Sequence, residues 1–400
     1  MSYPKKSKSM RFALPILVAA FSAIGCSEAP KNEDSNNEVI AAVASKLKTV
    51  EENYLPESIQ ETGSASAASL KSNAPLSNRV SAQDDDICAG LNIIECQPRL
   101  IRAYIMYGKG AVALTHQVVL SVARDLSNAP NNSTGVINVP EKNLKVEYNK
   151  RTVLDFDFLI SQGSVPVGRV SANSDLYKIQ FDLGVLEKDK PGSRGGKIEI
   201  SVKYNKSSDW TSQVTVSNLL CNPNKHDDPE TARISVSRKD GIWKGRSMFY
   251  NGIAAAYSGQ KSCDTPASDD TGLVTYTDFV ANSQAAKAAI YVMKRNETST
   301  TDIQNFGFNL LCTNYPDLCL NLATALSTTP NEVAAFLGQM SNPYCVVRGS
   351  PAVTWNSDCR SQSAAVADAP FIADQTGELA WVTPIDFYQL EVTIPTTFAD

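Results

Sequence analysis

From residue 143 to about 295, apolar and polar residues alternate. Charges separate Leu144, Val146 and Tyr148; Asp155 and Asp157 separate Leu154, Phe156, Phe158 and Ile160. Tyr177, Ile179, Phe181 and Leu183 alternate with Lys178, Gln180 and Asp182, and Ile198, Ile200, Val202 and Tyr204 with Glu199, Ser201 and Lys203. A period of two sends successive side chains to opposite faces, so one face is buried and the other wet, as in an antiparallel sheet. Ile234 and Val236 lead to Asp240-Gly241, a pair suited to the positive-φ turn of a two-residue hairpin, and Ile242 and Trp243 follow. The stretch predicts roughly seven or eight strands, arranged as a meander, a sandwich or a half-barrel.

Elsewhere the period lengthens. Val39, Ala42, Val43, Leu47 and Val50 recur at three or four and predict a helix over 38–54. Leu114, Val118, Val122 and Leu126 repeat every four residues, with Ala111 and Val119 beside them, and Asn128, Pro130 and Asn131 stop the segment. The β-branched content there leaves a strand pair as the alternative. Residues 282–294, with Ala285, Ala286, Ala288 and Ala289, read as helix or strand. Phe308, Leu311, Leu318 and Leu322 mark short helices, and Thr329-Pro330 opens another carrying Val333, Phe336 and Leu337. Trp381, Phe387, Leu390, Val392 and Ile394 return to a strand-like pattern. The fold class is α+β: an antiparallel sheet flanked by disulfide-tied helical segments. The divisions are 1–25 as a leader, 26–86 as tether and linker with a short helix, and 87–130 as helix. The β domain spans 131–300, a helical cysteine-rich segment 301–345, and 346–400 returns to the sheet. No repeat at solenoid or propeller periods is present.

The N-terminus changes the picture. Lys5, Lys6, Lys8 and Arg11 precede an apolar run from Phe12 to Gly25, and Cys26 follows. The run makes about 21 Å of helix, too short to span a bilayer and suited to a secretory signal; Pro15 inside it points the same way. Ala23-Ile24-Gly25-Cys26 resembles the lipobox of bacterial lipoproteins. In that family the bond before the Cys is cut, its thiol receives a diacylglycerol, and the new amine is acylated. The family usually has Leu where Ala23 stands. The resemblance implies a lipid anchor on Cys26 and residence in the cell envelope. Lipoproteins of the enteric type stay in the inner membrane when Asp follows the Cys, so Ser27 implies the outer membrane. Removing the leader takes four basic residues and no acid from a chain of net charge −5. The acidic body gives the membrane no basic patch, so the acyl chains make the contact. The same charge gives no electrostatic case for nucleic acid.

Nine cysteines stand at 26, 88, 96, 221, 263, 312, 319, 345 and 359. With Cys26 acylated, the remaining even number fits disulfides in an exported chain. Near neighbours are the preferred partners: Cys88–Cys96, Cys221–Cys263, Cys312–Cys319 and Cys345–Cys359. Seven residues of helix rise about 10.5 Å, beyond the roughly 7 Å that a disulfide allows between Cα atoms. Cys312–Cys319 therefore needs a bend, which Pro316 supplies, and Cys88–Cys96 a turn, for which Gly90 and Asn92 are placed. No CxxC occurs, and no Cys lies two to four residues from a histidine, which disfavours zinc.

Candidate chemistry is sparse. Of the two histidines, His116 lies at the edge of the 111–126 apolar arc and reads as structural. His226, Asp227, Asp228 and Glu230 form a weak candidate cation loop, bracketed by Pro223 and Pro229. Asp84–Asp86 and Asp269–Asp270 lack the alternation and central Gly of an EF-hand and read as solvated acid. Gly192-Ser-Arg-Gly-Gly196 reads as a hairpin loop. GxSxG, HExxH, Walker A and GxGxxG are all missing. No catalytic residue and no cofactor is implied. The expected function is a membrane-anchored binding or scaffold module for an envelope protein, glycan or lipid, leaning away from enzymatic activity. The alternatives are a carrier holding a lipid or other apolar ligand in a curved sheet, and an extracytoplasmic hydrolase using carboxylates or a metal.

Overall fold

The computed structural model describes residues 33–59, 93–140, 143–186, 196–206, 209–217, 231–251, 273–294, 344–347, 353–354 and 392–398, with isolated positions at 316, 320 and 329–331. Helix α1 is Glu33–Glu52 and α2 is Ile93–Asp125. The strands are β1 (Ser133–Val139), β2 (Leu144–Thr152), β3 (Asp155–Gln162), β4 (Val165–Ala172) and β5 (Leu176–Asp182). A single turn, α3 (Leu183–Leu186), precedes β6 (Lys197–Lys206), β7 (Asp209–Ser217), β8 (Thr231–Lys239) and β9 (Ile242–Asn251). Then come β10 (Leu273–Ala281), β11 (Ala285–Lys294) and two short strands, β12 (Tyr344–Val347) and β13 (Val353–Thr354).

Each strand pairs antiparallel with the one before it, giving one open 13-stranded meander. The α+β class is as expected, and of the three forms considered the strand order is that of the meander. The tight turns are local chemistry. Asp240 (φ 51°) and Gly241 (φ 77°) close β8 onto β9 with Lys239 opposite Ile242, the hairpin the Asp-Gly pair predicted. Asn173 and Asn282 each accept the backbone N–H groups two and three residues on, closing β4–β5 and β10–β11 by the same Asn-Ser turn.

The helices cover one face, here called inner. Lys150 on β2 donates to Leu126 O at the end of α2, while Gly108 in mid-helix faces Tyr54, whose ring stacks on Trp210 of β7. The helix rises about 27 Å between those points, close to the roughly 24 Å of five strand spacings. It therefore runs across the strands, packing on β4 through β9 and reaching β11 and β12. Helix α1 lies against α2 and, with the residues after it, follows the rim of the sheet. Lys46 Nζ donates to Ser174 O at 3.3 Å, Trp243 Nε1 to Asn53 O at 2.8 Å, and Ser58 Oγ to Asn282 O at 2.7 Å.

One inner row runs Ala172–Tyr177–Val202–Ser212–Val236–Gly245–Phe279–Ala288, buried throughout. Three glycines of this face sit opposite an aromatic ring that fills the place of a side chain: Gly135 under Tyr148, Gly168 under Phe181 and Gly245 under Phe279. The core is continuous from the helices into the sheet, joining Leu47, Val112 and Val119 to Phe156, Phe181 and Ile200.

Several expectations change. Helix α1 begins at Glu33, inside the stretch read as tether, and Ala42 is exposed while Ile40 takes its place in the core. Segment 285–294 is strand: Ala286 and Ala288, opposite Ala281 and Phe279, are buried on the inner face. Residues 392–398 are not strand; Gln180 Nε2 donates to Thr393 O at 2.9 Å and Val392 N to Ser217 Oγ at 3.2 Å, so they cross the opposite face of β5–β7. The cysteines at 26, 88, 221, 263, 312, 319 and 359 lie outside the described residues; Cys96 falls in α2 and Cys345 in β12. The expected disulfide ties between helices therefore lie outside the described residues as well.

Candidate functional site

The outer face begins with Asp157 on β3, one residue out of phase with the buried Phe156 and Phe158. Arg169 on β4 grips one of its oxygens, Nε at 3.1 Å and Nη2 at 2.7 Å on Oδ1, and Arg151 Nη2 reaches Oδ2 at 3.2 Å. Arg151 also donates from Nε to Asp155 Oδ1 at 2.7 Å, and these two carboxylates hold its guanidinium further toward the charged form. Two carboxylates thus meet two guanidiniums, with the shared Asp157 side chain only 4% exposed. Hydrogen bonds to charged groups are about twice as strong as neutral ones.

The pattern continues across the sheet. Lys178 Nζ lies 2.9 Å from Glu199 Oε2, and Gln180 Nε2 donates to the same oxygen at 2.7 Å. The Gln213 amide, turned with its oxygen toward Arg233, accepts from Nε at 2.6 Å and Nη2 at 2.7 Å. Over β9 and β10 this face is buried: Arg246 and Asp278, opposite each other, form a two-point pair at 2.7 and 3.1 Å beside buried Met248, Tyr276 and Val280. Burial pushes the Asp278 carboxyl up while Arg246 opposes it. Such a pair fixes register; it adds little net stability, because desolvation offsets the attraction. Residues 392–398 cross this face at β5–β7, so its more accessible part among the described residues lies over β2–β4, where Lys145 pairs with Glu147 and Arg151 with Asp155.

Between sheet and helices lie other ionisable groups. Lys150, 1% exposed, donates to Leu126 O at 2.6 Å and to Ala129 O, capping α2; burial lowers its pKa. His116 Nδ1 stands 3.5 Å from Glu51 Oε2 of α1, and its Nε2 is buried without a hydrogen-bond partner. This is the helix-to-helix placement expected of a structural histidine. Asp125 Oδ2 is buried without a partner at the last residue of α2, and burial pushes that carboxyl up to about 6, with Arg124 opposing. Tyr177, on the inner face, is pushed up to about 12, first by burial.

His226, Asp227, Asp228 and Glu230 lie outside the described residues. Among the described residues no group of three or more His, Cys, Asp or Glu gathers to hold a metal, and no helix is long and apolar enough to cross a membrane. Sequence reading placed Asp155 and Asp157 on the polar side of β3. It did not find Arg169, which stands on a strand it had not recognised, nor the buried Lys150, Arg246 and Asp278. The signal for Lys150 was its phase: it shares parity with Leu144, Val146 and Tyr148. Comparison with known protein families, characterised proteins and solved structures returns no match.

Proposed function

We propose that the chain is a lipid-anchored protein of the bacterial envelope, acting as a binding or scaffold module, with Cys26 as the acylated residue and the outer membrane as its residence. One observation carries the reading of the body. The apolar face of the sheet is occupied along its breadth by α2, a helix of 33 residues, with α1 at the rim. A carrier needs that face as an apolar concavity for its ligand. The surface left to a partner is the polar face of β2–β4, where cations already face carboxylates. Matched charges recognise by shape and by hydrogen bonds rather than by bulk attraction, which suits an envelope protein or glycan.

We infer a non-enzymatic role as well. The oxygens of Asp157 are engaged by two arginines and Glu199 Oε2 by Lys178 and Gln180, so these carboxylates are committed to contacts within the sheet. Half-barrel curvature about α2 is the form we infer for the sheet. Eight cysteines beyond Cys26 fit four disulfides in an oxidising compartment.

Intact-mass spectrometry of the protein from its native membrane, with and without reduction and alkylation, tests the anchor. The expected mass is that of residues 26–400 plus acyl chains, taking up eight alkyl groups only after reduction. An unlipidated product, or thiols that alkylate without reduction, overturns it. Lipid recovered in equimolar amount from the body, beyond the anchor, overturns the module reading in favour of a carrier.

A further inference from the structure

Strand β1 opens the meander, and among the described residues it pairs with β2 alone. Just before it, Asn132 N donates to Arg151 O at 3.2 Å. Bonded and non-bonded positions alternate in an antiparallel pair, so this bond sets the phase. Thr134, Val136 and Asn138 bond to β2; Ser133, Gly135, Ile137 and Val139 turn their N–H and C=O groups to the open edge. Exposed edges are normally guarded by charges, prolines or bulges. Strand β1 reads Ser-Thr-Gly-Val-Ile-Asn-Val, with no charge and no proline, and it pairs with β2 without a register shift. Val136, 55% exposed, is the most exposed large hydrophobic residue described.

We propose that β1 is the contact through which two copies of this chain join, strand against antiparallel strand, into one continuous sheet across a two-fold axis. This goes beyond the envelope-module reading and does not depend on the lipid anchor. One register matches every outward group of β1 with an outward group of the second copy, and it puts Val136 on the axis. Ser133 then faces the second Val139, and Gly135 the second Ile137. On the outer face the two valines meet at a non-bonded position, where opposed side chains come closest. On the inner face the incoming Ile137 lies beside Gly135, over which the Tyr148 ring already sits, 2.5 Å from where a Cβ would stand. The exposed valine and the half-buried Ile137 and Tyr148 are covered together, and no like charges oppose within the strand pair. That symmetry about Val136 favours a second copy over a foreign strand. One strand pair buries less than a standard stable interface, so the contact is weak in dilute solution and gains where copies share a surface.

The test is position-specific crosslinking of the full chain in mild detergent under gentle oxidation. On the axis, non-bonded Cα atoms lie about 4.5 Å apart, within disulfide reach. Thr134 and its copy lie about 14 Å apart, out of reach. Val136→Cys is expected to give covalent dimer well above the wild-type background, and Thr134→Cys none above it. Mixing Thr134→Cys with Asn138→Cys is expected to restore the crosslink, since those positions face each other. Val136→Lys, which sets two ammonium groups on the axis, is expected to abolish the dimer that concentrated wild-type protein shows in light scattering. Equal crosslinking at 134 and 136, or none at 136, overturns the proposal. So does slow hydrogen exchange at Gly135 and Ile137 in a monomer, since another segment or partner would then cover the edge.

Discussion

Gly108→Ala probes how α2 is seated, because two effects of known size oppose each other there. Alanine inside a helix is favoured over glycine by about 1 kcal/mol, so an unobstructed site would be stabilised. At Gly108 a new Cβ would overlap the Tyr54 hydroxyl and lie 2.8 Å from Cζ. That ring has little room to yield: it is fully buried, stacks on Trp210 with centroids 5.4 Å apart, and accepts from Ser212 Oγ at 2.8 Å. Overpacking a tight core site costs about 1–3 kcal/mol. The net expectation is destabilisation by about 0.5–2 kcal/mol. Tyr54→Phe alone leaves the buried Ser212 hydroxyl without its acceptor and costs about 1–2 kcal/mol. Phenylalanine also removes the atom in the way, so Gly108→Ala in that background is expected to be near neutral or stabilising. The double-mutant cycle in urea, followed by tryptophan fluorescence, then shows a favourable coupling of about 1 kcal/mol or more. A Gly108→Ala protein as stable as wild type or more so, with additive behaviour in the cycle, refutes the seating of α2 on Tyr54.

Two further substitutions address the buried charges. Lys150→Met withdraws the donor of Leu126 O and Ala129 O; losing it costs about 1–3 kcal/mol per carbonyl, and relief of the buried ammonium offsets part. We expect a net loss of about 2 kcal/mol, read from the urea midpoint; an unchanged midpoint removes the capping role. Asp125→Asn takes a charge from the negative end of α2 and is expected to stabilise by about 0.5–1 kcal/mol at neutral pH. The folded carboxyl titrates near 6 against 3.8 for the free group, so the wild type gains stability as pH falls through that window. The advantage of Asn should shrink with it and vanish by roughly pH 4; thermal unfolding showing the same difference at both pH values contradicts this sign.

The strands legible beforehand were those with uninterrupted alternation, β2, β3, β5 and β6, together with the Asp-Gly hairpin. Strand β4 was hidden because Pro166 and Gly168 break its pattern at a bulge, where the register against β3 shifts between Ile160 and Ser161. Strand β7 mixes Trp210 and Val214 with small hydroxyl residues that are themselves buried, as Ser212 is beneath Tyr54. Strands β9 and β10 are buried on both faces, so a period of two loses its contrast. Helix α2 was legible by its stop signals and its Val118–Val122–Leu126 stripe. Its extent was read as 87–130, and the helix observed is Ile93–Asp125. The outer-face network needed strand pairing to be seen. Asp157 and Arg169 are far apart in sequence and meet only through a diagonal set by register.

The strictly sequential order of the meander bears on how the chain acquires its structure. Each strand finds its partner in the segment made just before it, so most pairings close short loops whose entropic cost is small. A sheet of this kind can grow one hairpin at a time as a chain emerges end-first from a ribosome or an export channel, with α2 already present as a surface to grow on. Four ties wait longest: Ser58 to Asn282, Gln180 to Thr393, Trp243 to Asn53, and Val392 to Ser217. Residues 392–394 thus act as a latch, fastening strands that had formed far earlier.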